Sequence, residues 1–245
     1  MIQITPEVAE ICGIHSGDGY LRGGDKRWEF DISGNVEEKD YYDFHVKPLF
    51  EKAFGIKVDC RHFPCRNTYG FVIRDKEIIK FIHELGFPYG NKSTTIRIPD
   101  EILNSRNIEI KRKFLRGLFD TDGCVHFKKR DQKEKYNNFK KTHHYYPTIS
   151  FVTVSKKLNE DLVKLLMELG FENFGNYQYI SKKPNESKRY QLVIYGVDYL
   201  NKFFEEIGSE NPVKLSRFLL WKKQGYCPTN STYLERTEML KSLDN

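Results

Sequence analysis

The chain has few cysteines, no long apolar run and no secretion signal. Its five cysteines are an odd number without regular spacing, which argues against a disulfide scaffold. Residues 60–65 offer three candidate zinc ligands and no second pair follows them, so a structural zinc is not expected. No stretch of about 18 apolar residues is present to cross a membrane, and residues 1–4 lack the pattern of a signal peptide. We therefore expect a cytoplasmic protein.

The sequence also lacks a glycine-rich phosphate loop and a Gly-x-Ser-x-Gly motif, which argues against a small-molecule enzyme. It has a basic excess instead, with 40 Lys and Arg residues against 34 Asp and Glu residues and a net charge of +6. This excess suits a polyanionic partner such as DNA. The chain of 245 residues, 39% of them hydrophobic, is long enough for one large or two small folded domains.

Two nine-residue segments share an apolar stretch, a central glycine and a final Asp-Gly pair. They are ICGIHSGDG at residues 11–19 and LRGLFDTDG at residues 115–123. Each predicts a helix that ends at its last glycine, because glycine tolerates the left-handed conformation just past a helix C-terminus. Asp18 and Asp122 then lie at the negative ends of two helix dipoles. A bound divalent cation would compensate for that unfavourable position.

Small residues recur four positions apart on one face of each predicted helix. They are Gly13 and Gly17 in the first helix and Gly117 and Thr121 in the second. Such a stripe allows another backbone to approach closely. We therefore expect the two helices to pack on each other and to bring Asp18 and Asp122 together.

The order of predicted elements repeats around the two motifs. Each half reads helix, two strands, helix, two strands, helix, and the short gaps within each strand pair require antiparallel pairing. The sequence therefore predicts an α+β fold of two pseudo-symmetric αββαββα halves, each with a four-stranded antiparallel sheet. The halves are residues 1–98 and 109–224, and residues 99–108 link them. The tail, residues 225–245, is expected to be loosely ordered.

A helix with one apolar face is predicted over residues 37–54, ending at Gly55. The residues assigned to that face are Tyr41, Phe44, Leu49 and Phe50. Their spacing follows the period of a regular α-helix.

Helices on one face of each sheet leave the other face open. The polar residues expected on that open face are Arg22, Arg27, Glu29, Asp31, Arg74, His126, Lys128, Arg130, Ser150, Arg189 and Gln191. Arginine and glutamine match guanine and adenine edges in the major groove. Basic loops at the strand ends, one of which contains Lys182, would contact phosphates and make binding salt-dependent. A solvated sheet face without a ligand is the alternative.

The two motifs resemble those of LAGLIDADG homing endonucleases of the single-chain type. The second motif departs from the family pattern only at Arg116, Phe119 and Thr121, whereas the first keeps Gly13 and the final Asp-Gly. Ser16 replaces an earlier acidic residue that tends to be structural in the family. The resemblance covers residues 5–225 and implies a DNA-binding saddle, with the sheets along the major groove and the motif helices over the minor groove.

The resemblance also implies a metal-dependent cut in each strand of double-stranded DNA, with Mg²⁺ or Mn²⁺ as cofactor. Asp18 and Asp122 match the metal-binding acids, one for each scissile phosphate. Gly17 and Thr121 match the positions whose main-chain carbonyls complete the metal shell.

A lysine near each acid is a further feature of the family. Lys92 and Lys214 match these lysines, which would polarise water or offset phosphate charge. His15 and the pair His143-His144 are the alternative candidates. With both motifs in one chain we expect a monomer, because the internal pseudo-twofold axis replaces a dimer axis.

Two other functions are compatible with the same fold. One is an RNA maturase that assists intron splicing and the other is a DNA-binding regulator, neither of which would cut DNA. The presence of both Asp18 and Asp122 favours cleavage. An intein is disfavoured because no splicing domain precedes Met1 and residues 243–245 lack a His-Asn junction. We therefore expect a free-standing endonuclease, encoded within an intron or as an independent mobile element.

Overall fold

The computed structural model describes residues 3–24, 27–129, 145–180 and 187–244. Two of the residues expected to contact DNA, Arg130 and Lys182, lie outside the described residues, as does the pair His143-His144. For Lys128 the structure describes the backbone but not the side chain.

The N-terminal half forms a four-stranded sheet with helices on one face. Its elements are α1 (Pro6–Asp18), β1 (Gly19–Arg22), β2 (Glu29–Asn35), α2 (Lys39–Tyr41), α3 (Lys47–Phe54), β3 (Arg61–Phe63), β4 (Thr68–Ile73) and α4 (Lys76–Glu84). The strand order is β1-β2-β4-β3, and all neighbours are antiparallel.

The C-terminal half repeats this arrangement after a short connecting helix, α5 (Asp100–Leu103). Its elements are α6 (Ile108–Asp122), β5 (Gly123–Lys129), β6 (Tyr145–Thr153), α7 (Lys156–Glu168), β7 (Phe174–Tyr179), β8 (Arg189–Tyr195) and α8 (Val197–Glu206). The strand order is β5-β6-β8-β7, again antiparallel throughout. The predicted α+β fold with two four-stranded antiparallel sheets is confirmed.

The motif helices α1 and α6 pack with their backbones in contact. A Cβ atom on Gly13 would lie 2.1 Å from the carbonyl oxygen of Phe114. At the matched position, a Cβ atom on Gly117 would lie 2.2 Å from the carbonyl oxygen of Glu10. The expected packing of these helices is therefore confirmed, and the buried residues of both halves join in one hydrophobic core.

The helix ends are where the sequence predicts them, but the predicted reason is wrong. Gly19 has φ −85° and ψ 151°, and Gly123 has φ −73° and ψ 157°, so both are extended rather than left-handed. A Cβ atom on Gly19 would lie 2.0 Å from His15 Nδ1, and one on Gly123 would lie 2.4 Å from Phe119 Cδ2. Glycine is needed here because the side chain four residues earlier occupies the space.

The helical segment 36–54 is irregular, and the expected place of Phe44 on its apolar face is wrong. A 3-10 turn, Val36–Glu38, leads into α2, and a π turn, Tyr42–Val46, separates α2 from α3. The wider π turn shifts the phase of the helix, so that Tyr42 and Val46 are buried and Phe44 is 79% exposed.

The C-terminal tail is also more ordered than the sequence analysis expected. After α9 (Pro212–Gln224) the chain forms a further helix, α10 (Tyr233–Leu243), which packs against α9. A capping box of Thr232 and Glu235 begins α10, and this Thr-x-x-Glu pattern is visible in the sequence. No helix in the described part of the chain is long and apolar enough to cross a membrane.

Candidate metal and DNA-binding site

The packing of α1 on α6 brings together the two motif acids at the ends of these helices. A Cβ atom on Gly17 would lie 2.2 Å from Thr121 Oγ1 and 3.1 Å from the carboxyl carbon of Asp122. The Asp122 carboxyl group therefore lies against the residue that precedes Asp18. The charge of Asp122 is one of the factors that raise the pKa of Asp18.

Asp18 is the half-buried acid of the pair. The Tyr42 hydroxyl donates a 2.7 Å hydrogen bond to its Oδ2 atom. Burial, the main cause, raises the pKa of Asp18 to about 7, and the nearby charges of Glu38 and Asp122 act in the same direction. A bound divalent cation would favour the ionised carboxylate and reverse this shift.

Asp122 is the more accessible acid. Neighbouring protein atoms partly remove its carboxyl group from water, and this desolvation raises the pKa of Asp122. The charges of Lys92 and Lys214 oppose that shift. The residue nevertheless remains exposed on one side. It lines a cleft of about 320 Å³ together with Lys92, Thr153 and Arg189, so a ligand has direct access to this carboxylate.

The two predicted lysines contact main-chain carbonyls at the ends of the motif helices. Lys92 Nζ donates to the carbonyl oxygen of Gly17 at 2.9 Å. Lys214 Nζ donates to the carbonyls of Phe119, Thr121 and Gly123 at 2.7, 2.6 and 2.6 Å. Burial lowers the pKa of both lysines. Each carbonyl that the family resemblance assigns to the metal shell thus has a lysine next to it.

The donor atoms at this place suit a hard divalent cation. They are carboxylate oxygens of Asp18 and Asp122 and carbonyl oxygens of Gly17 and Thr121, and Mg²⁺ and Mn²⁺ prefer such ligands. A carbonyl oxygen has two lone pairs and can accept from lysine while it binds a cation. Within the described residues, no three His, Cys, Asp or Glu side chains group to hold a metal. The site therefore fits a cation whose remaining ligands are water or phosphate oxygens.

A buried carboxylate beside the motif orients the loop that leads to Lys214. Asp120 accepts hydrogen bonds from Ser209 Oγ at 2.5 Å and from the Glu210 amide at 2.9 Å. Burial raises the pKa of Asp120 to about 6. The matched residue in α1, Ser16, instead donates to the carbonyl of Cys12 in its own helix at 2.8 Å.

On the first sheet, the residues expected to contact DNA form an array of ion pairs. Glu29 pairs with Arg27 at 2.8 Å and with Arg22 and Arg74 at 3.8 Å each. Asp31 pairs with Arg66 at 2.8 Å. Arg66 is not predicted from the sequence, because it lies in the turn before β4 rather than on a strand.

On the second sheet, strand register places the expected residues on one face. Two rows of paired residues cross the sheet. One row is Cys124, Ser150 and Val193, and the other is Val152, Gln191 and Tyr177. His126 and Arg189 follow the same alternation and are exposed, and Lys128 lies on β5 opposite Tyr146. Ser150 is only 3% exposed, so its hydroxyl is covered by its neighbours.

Three tyrosines on this face, Tyr177, Tyr179 and Tyr195, are not among the residues predicted from the sequence. Tyr177 and Tyr179 are 43% and 52% exposed, and the hydroxyls of Tyr177 and Tyr195 lie 2.8 Å apart. The alternation of residues 175, 177 and 179 along β7 is the signal from which they could have been found.

Comparison with solved structures identifies the fold. I-DmoI in complex with DNA and Mn has a TM-score of 0.54 and 16% identity, covering 84% of this chain and 98% of that chain. The homing endonuclease I-WcaI bound to its DNA recognition sequence has a TM-score of 0.53 and 17% identity, covering 88% of this chain and 87% of that chain. The chain has the fold of the LAGLIDADG homing endonucleases. Residues 109–208, which contain the second motif, match the family described as LAGLIDADG-like domain.

Curated relatives match the chain over a small part of their own length. The Replication factor C small subunit of Methanocaldococcus jannaschii is 30% identical over 213 residues, which are 87% of this chain and 10% of that protein. The tRNA-splicing ligase RtcB of Pyrococcus abyssi is 28% identical over 218 residues, covering 83% of this chain and 22% of that protein. The ATP-dependent DNA helicase Hel308 of Thermococcus kodakarensis is 26% identical over 215 residues, which are 86% of this chain and 17% of that protein. A segment similar to this chain thus occurs in a replication factor subunit, a tRNA-splicing ligase and a DNA helicase.

Proposed function

We propose that the protein is a site-specific endonuclease that cuts both strands of duplex DNA with Mg²⁺ or Mn²⁺. The observation that carries this proposal is the juxtaposition of Asp18 and Asp122 at adjoining helix ends. Each acid follows a residue whose carbonyl oxygen accepts a hydrogen bond from a lysine. Two acids related by a pseudo-twofold axis suit the two antiparallel strands of a duplex.

The residues of the site divide the chemical work among them. Asp18, Asp122 and the carbonyls of Gly17 and Thr121 would hold the cation. A cation bound there supplies water activation and stabilisation of the leaving 3′ oxygen. Tyr42 orients the Asp18 carboxylate through its hydrogen bond.

The lysines complete the electrostatics of the site. Lys92 and Lys214 place fixed positive charge beside the acids, where a phosphodiester gains negative charge during hydrolysis. Because both ammonium groups are held by carbonyls, little reorganisation is needed when the substrate arrives.

The open sheet faces supply the DNA-binding surface of the proposal. Glu29 and Asp31 hold guanidinium groups in place on the first sheet before DNA binds. Arginines fixed in this way are ready to contact bases or phosphates, and each phosphate contact releases counterions from DNA, so affinity should fall with salt. I-DmoI and I-WcaI, which share this fold, are known bound to DNA, and this supports double-stranded DNA as the partner.

The curated relatives bear on where such a module occurs. The matches cover 10 to 22% of Replication factor C small subunit, RtcB and Hel308. A mobile segment carried in unrelated hosts produces this pattern. The intein setting, which the sequence alone disfavours, is supported by this pattern as a second setting beside the free-standing enzyme, with the endonuclease carried inside a host protein. The sequence of the encoding locus on both sides of the module distinguishes the two settings.

The proposed activity is tested by cleavage of a randomised duplex library. Wild type, Asp18→Asn and Asp122→Asn are incubated with Mg²⁺ or with EDTA, and Asp59→Asn, at an exposed residue outside the site, is the matched control. We expect metal-dependent double-strand breaks at a defined sequence for wild type and the control. Each motif variant should cut no DNA or leave only nicks.

The opposite outcome is equally informative. Tight, salt-sensitive DNA binding with no cutting under Mg²⁺ or Mn²⁺ contradicts the endonuclease and leaves the regulator or the maturase. RNA binding is then measured next.

A further inference from the structure

The C-terminal helix α10 buries an arginine beside Lys214. Arg236 is 1% exposed, which is unusual for a guanidinium group. Its Nε donates to Ser216 Oγ at 2.9 Å and its Nη2 donates to the Val213 carbonyl at 3.1 Å. Its Nη1 donates to the carbonyl of Ser231. The guanidinium therefore binds residues on both sides of Lys214 in the first turn of α9.

A planar guanidinium with donors in a fixed fork restrains the groups that it binds. Val213 and Ser216 are also joined to each other, because Ser216 Oγ donates to the Val213 carbonyl at 2.9 Å. Lys214 lies between them and directs its ammonium group to three carbonyls at the end of α6. The orientation of this turn determines where that ammonium group lies.

A second contact connects α10 to the surroundings of Asp18. The Tyr233 amide donates to Glu37 Oε1 at 2.6 Å. The next residue, Glu38, accepts at 2.8 Å from Asn211 Nδ2, and Asn211 caps α9 by accepting from the Val213 amide at 3.0 Å. The start of α10, the 3-10 turn and the start of α9 thus form a closed ring of hydrogen bonds.

Packing alone does not account for a buried arginine at this place. Within the described residues, Arg236 makes no ion pair with a carboxylate, and its partners are carbonyl and hydroxyl oxygens. An apolar side chain of similar size would avoid the desolvation of the charge. Met239 and Leu240 already pack α10 against the core. The residue is therefore better explained by what it orients.

We propose that Arg236 is a positioning residue that holds the first turn of α9 and thereby places the Lys214 ammonium group. The consequence for catalysis rests on the proposed nuclease function, whereas the placement of Lys214 does not. Lys92 serves as an internal reference, because its ammonium group lies at the matched position and donates to the Gly17 carbonyl at the end of α1 rather than to the end of α6.

The placement is tested by acetylation of lysines in the full chain, followed by mass spectrometry. The measured quantity is the ratio of Lys214 to Lys92 labelling. We expect this ratio to rise about fivefold in Arg236→Met, the change that corresponds to roughly 1 kcal/mol of lost hydrogen bonding. Ser216→Ala, which removes one partner, should raise it less. Leu234→Ala, at a residue of α10 that is 68% exposed, is the matched control and should leave the ratio unchanged.

Three outcomes decide the placement. A raised ratio in Arg236→Met supports it, and an unchanged ratio in a folded Arg236→Met overturns it. If melting curves show that Arg236→Met is unfolded, Ser216→Ala decides instead, and an unchanged ratio in that variant overturns the proposal.

Cleavage kinetics test the catalytic consequence separately. We expect Arg236→Met to lower the single-turnover cutting rate about tenfold with unchanged DNA affinity, and Arg236→Lys to recover part of that rate. Unchanged cutting in a variant with a raised labelling ratio overturns the catalytic consequence. Absence of cutting in wild type contradicts the proposed nuclease function and leaves the labelling result intact.

Discussion

The two ends of the motif helix pair have the same backbone geometry and different surroundings. Asp18 is half-buried, accepts from Tyr42 and has Glu38 nearby, whereas Asp122 is exposed and borders the cleft. Tyr42 and Glu38 come from the irregular helical segment of the N-terminal half. The C-terminal half has a regular helix, α7, after the matched strand. The repeat thus sets where each acid lies, and the irregular helical segment gives Asp18 two neighbours with opposite effects on its pKa, Tyr42 lowering it and Glu38 raising it.

The lysines differ in the same way. Lys214 donates to three carbonyls, and Asp120 orients the loop before it. Lys92 donates to the Gly17 carbonyl, and the Ser16 hydroxyl, at the position that matches Asp120, donates to the Cys12 carbonyl within its own helix. We infer that the C-terminal lysine is the more firmly fixed of the two.

The largest difference between the helices should appear at the matched residues Arg116 and Cys12. Arg116 makes a bidentate ion pair with Glu10, at 2.9 and 2.6 Å, and Glu10 is 1% exposed. Arg116→Met removes this bidentate partner and leaves the carboxylate with His45 at 2.7 Å and Lys113 at 3.7 Å, so the free energy of unfolding should fall by about 3 kcal/mol. Cys12→Ala removes only a buried thiol and should lower it by about 1 kcal/mol. Urea unfolding measures both, and equal losses would contradict this account.

A smaller effect is expected when each lysine is removed. Lys214→Met should lower the single-turnover cutting rate about 100-fold, the range typical for a fixed electrostatic donor. Lys92→Met should lower it about tenfold, because fewer contacts hold that ammonium group in place. Lys164→Met, at an exposed lysine of α7, is the control and should cut at the wild-type rate. A greater loss for Lys92 than for Lys214 would reverse the proposed ranking.

Substitutions at the matched positions Asp120 and Ser16 should change the free energy of unfolding by different amounts and with different pH dependence. At pH 7, Asp120→Asn replaces one of the two carboxylate oxygens that accept from Ser209 and Glu210, and it should lower the free energy of unfolding by about 2 kcal/mol. Ser16→Ala should lower it by less than about 1 kcal/mol, because the Cys12 carbonyl still has its helical partner.

The pH dependence follows from the raised pKa of Asp120. Its pKa is about 6 in the folded protein against 3.8 ordinarily, so the folded state holds this proton more tightly than the unfolded state. Wild type therefore loses stability from this group as the pH rises from about 4 to 6, and the loss is constant above that range. Relative to wild type, Asp120→Asn should therefore lose more unfolding free energy at pH 4 than at pH 7. The loss caused by Ser16→Ala should be the same at both pH values. Urea titrations at both values check this.

The elements that the sequence predicts correctly depend on local patterns. The glycine stripe and the Asp-Gly pairs are enough to predict the packing of α1 on α6, because close backbone approach requires small residues at a fixed spacing. The alternation of polar residues predicts the open sheet faces, because successive side chains of a strand point to opposite faces of the sheet.

The elements that were missed depend on tertiary contacts or on a change of helical period. The π turn moves Phe44 outward and Tyr42 inward, and no regular period anticipates it. The burial of Arg236 depends on Val213 and Ser216, which lie 20 or more residues earlier in the chain. The pairing of Arg66 with Asp31 depends on the fold of a turn. The last two features become visible only when residues distant in the chain are brought together.

The smallest expected effect concerns the contact between the two helix ends. A Cβ atom on Gly17 would lie 2.2 Å from Thr121 Oγ1 and 2.6 Å from Thr121 Cβ, so Gly17→Ala must push the two ends apart. Thr121→Gly removes both atoms and should relieve the overlap. In a double-mutant cycle we expect a favourable coupling of about 1 kcal/mol in the free energy of unfolding. Gly24→Ala, at a glycine with open space around it, is the control and should show no coupling to Thr121→Gly. A coupling near zero between Gly17→Ala and Thr121→Gly would mean that the two helix ends can separate at no cost. The contact of Gly17 with Thr121 would then not explain why Asp18 and Asp122 lie close together.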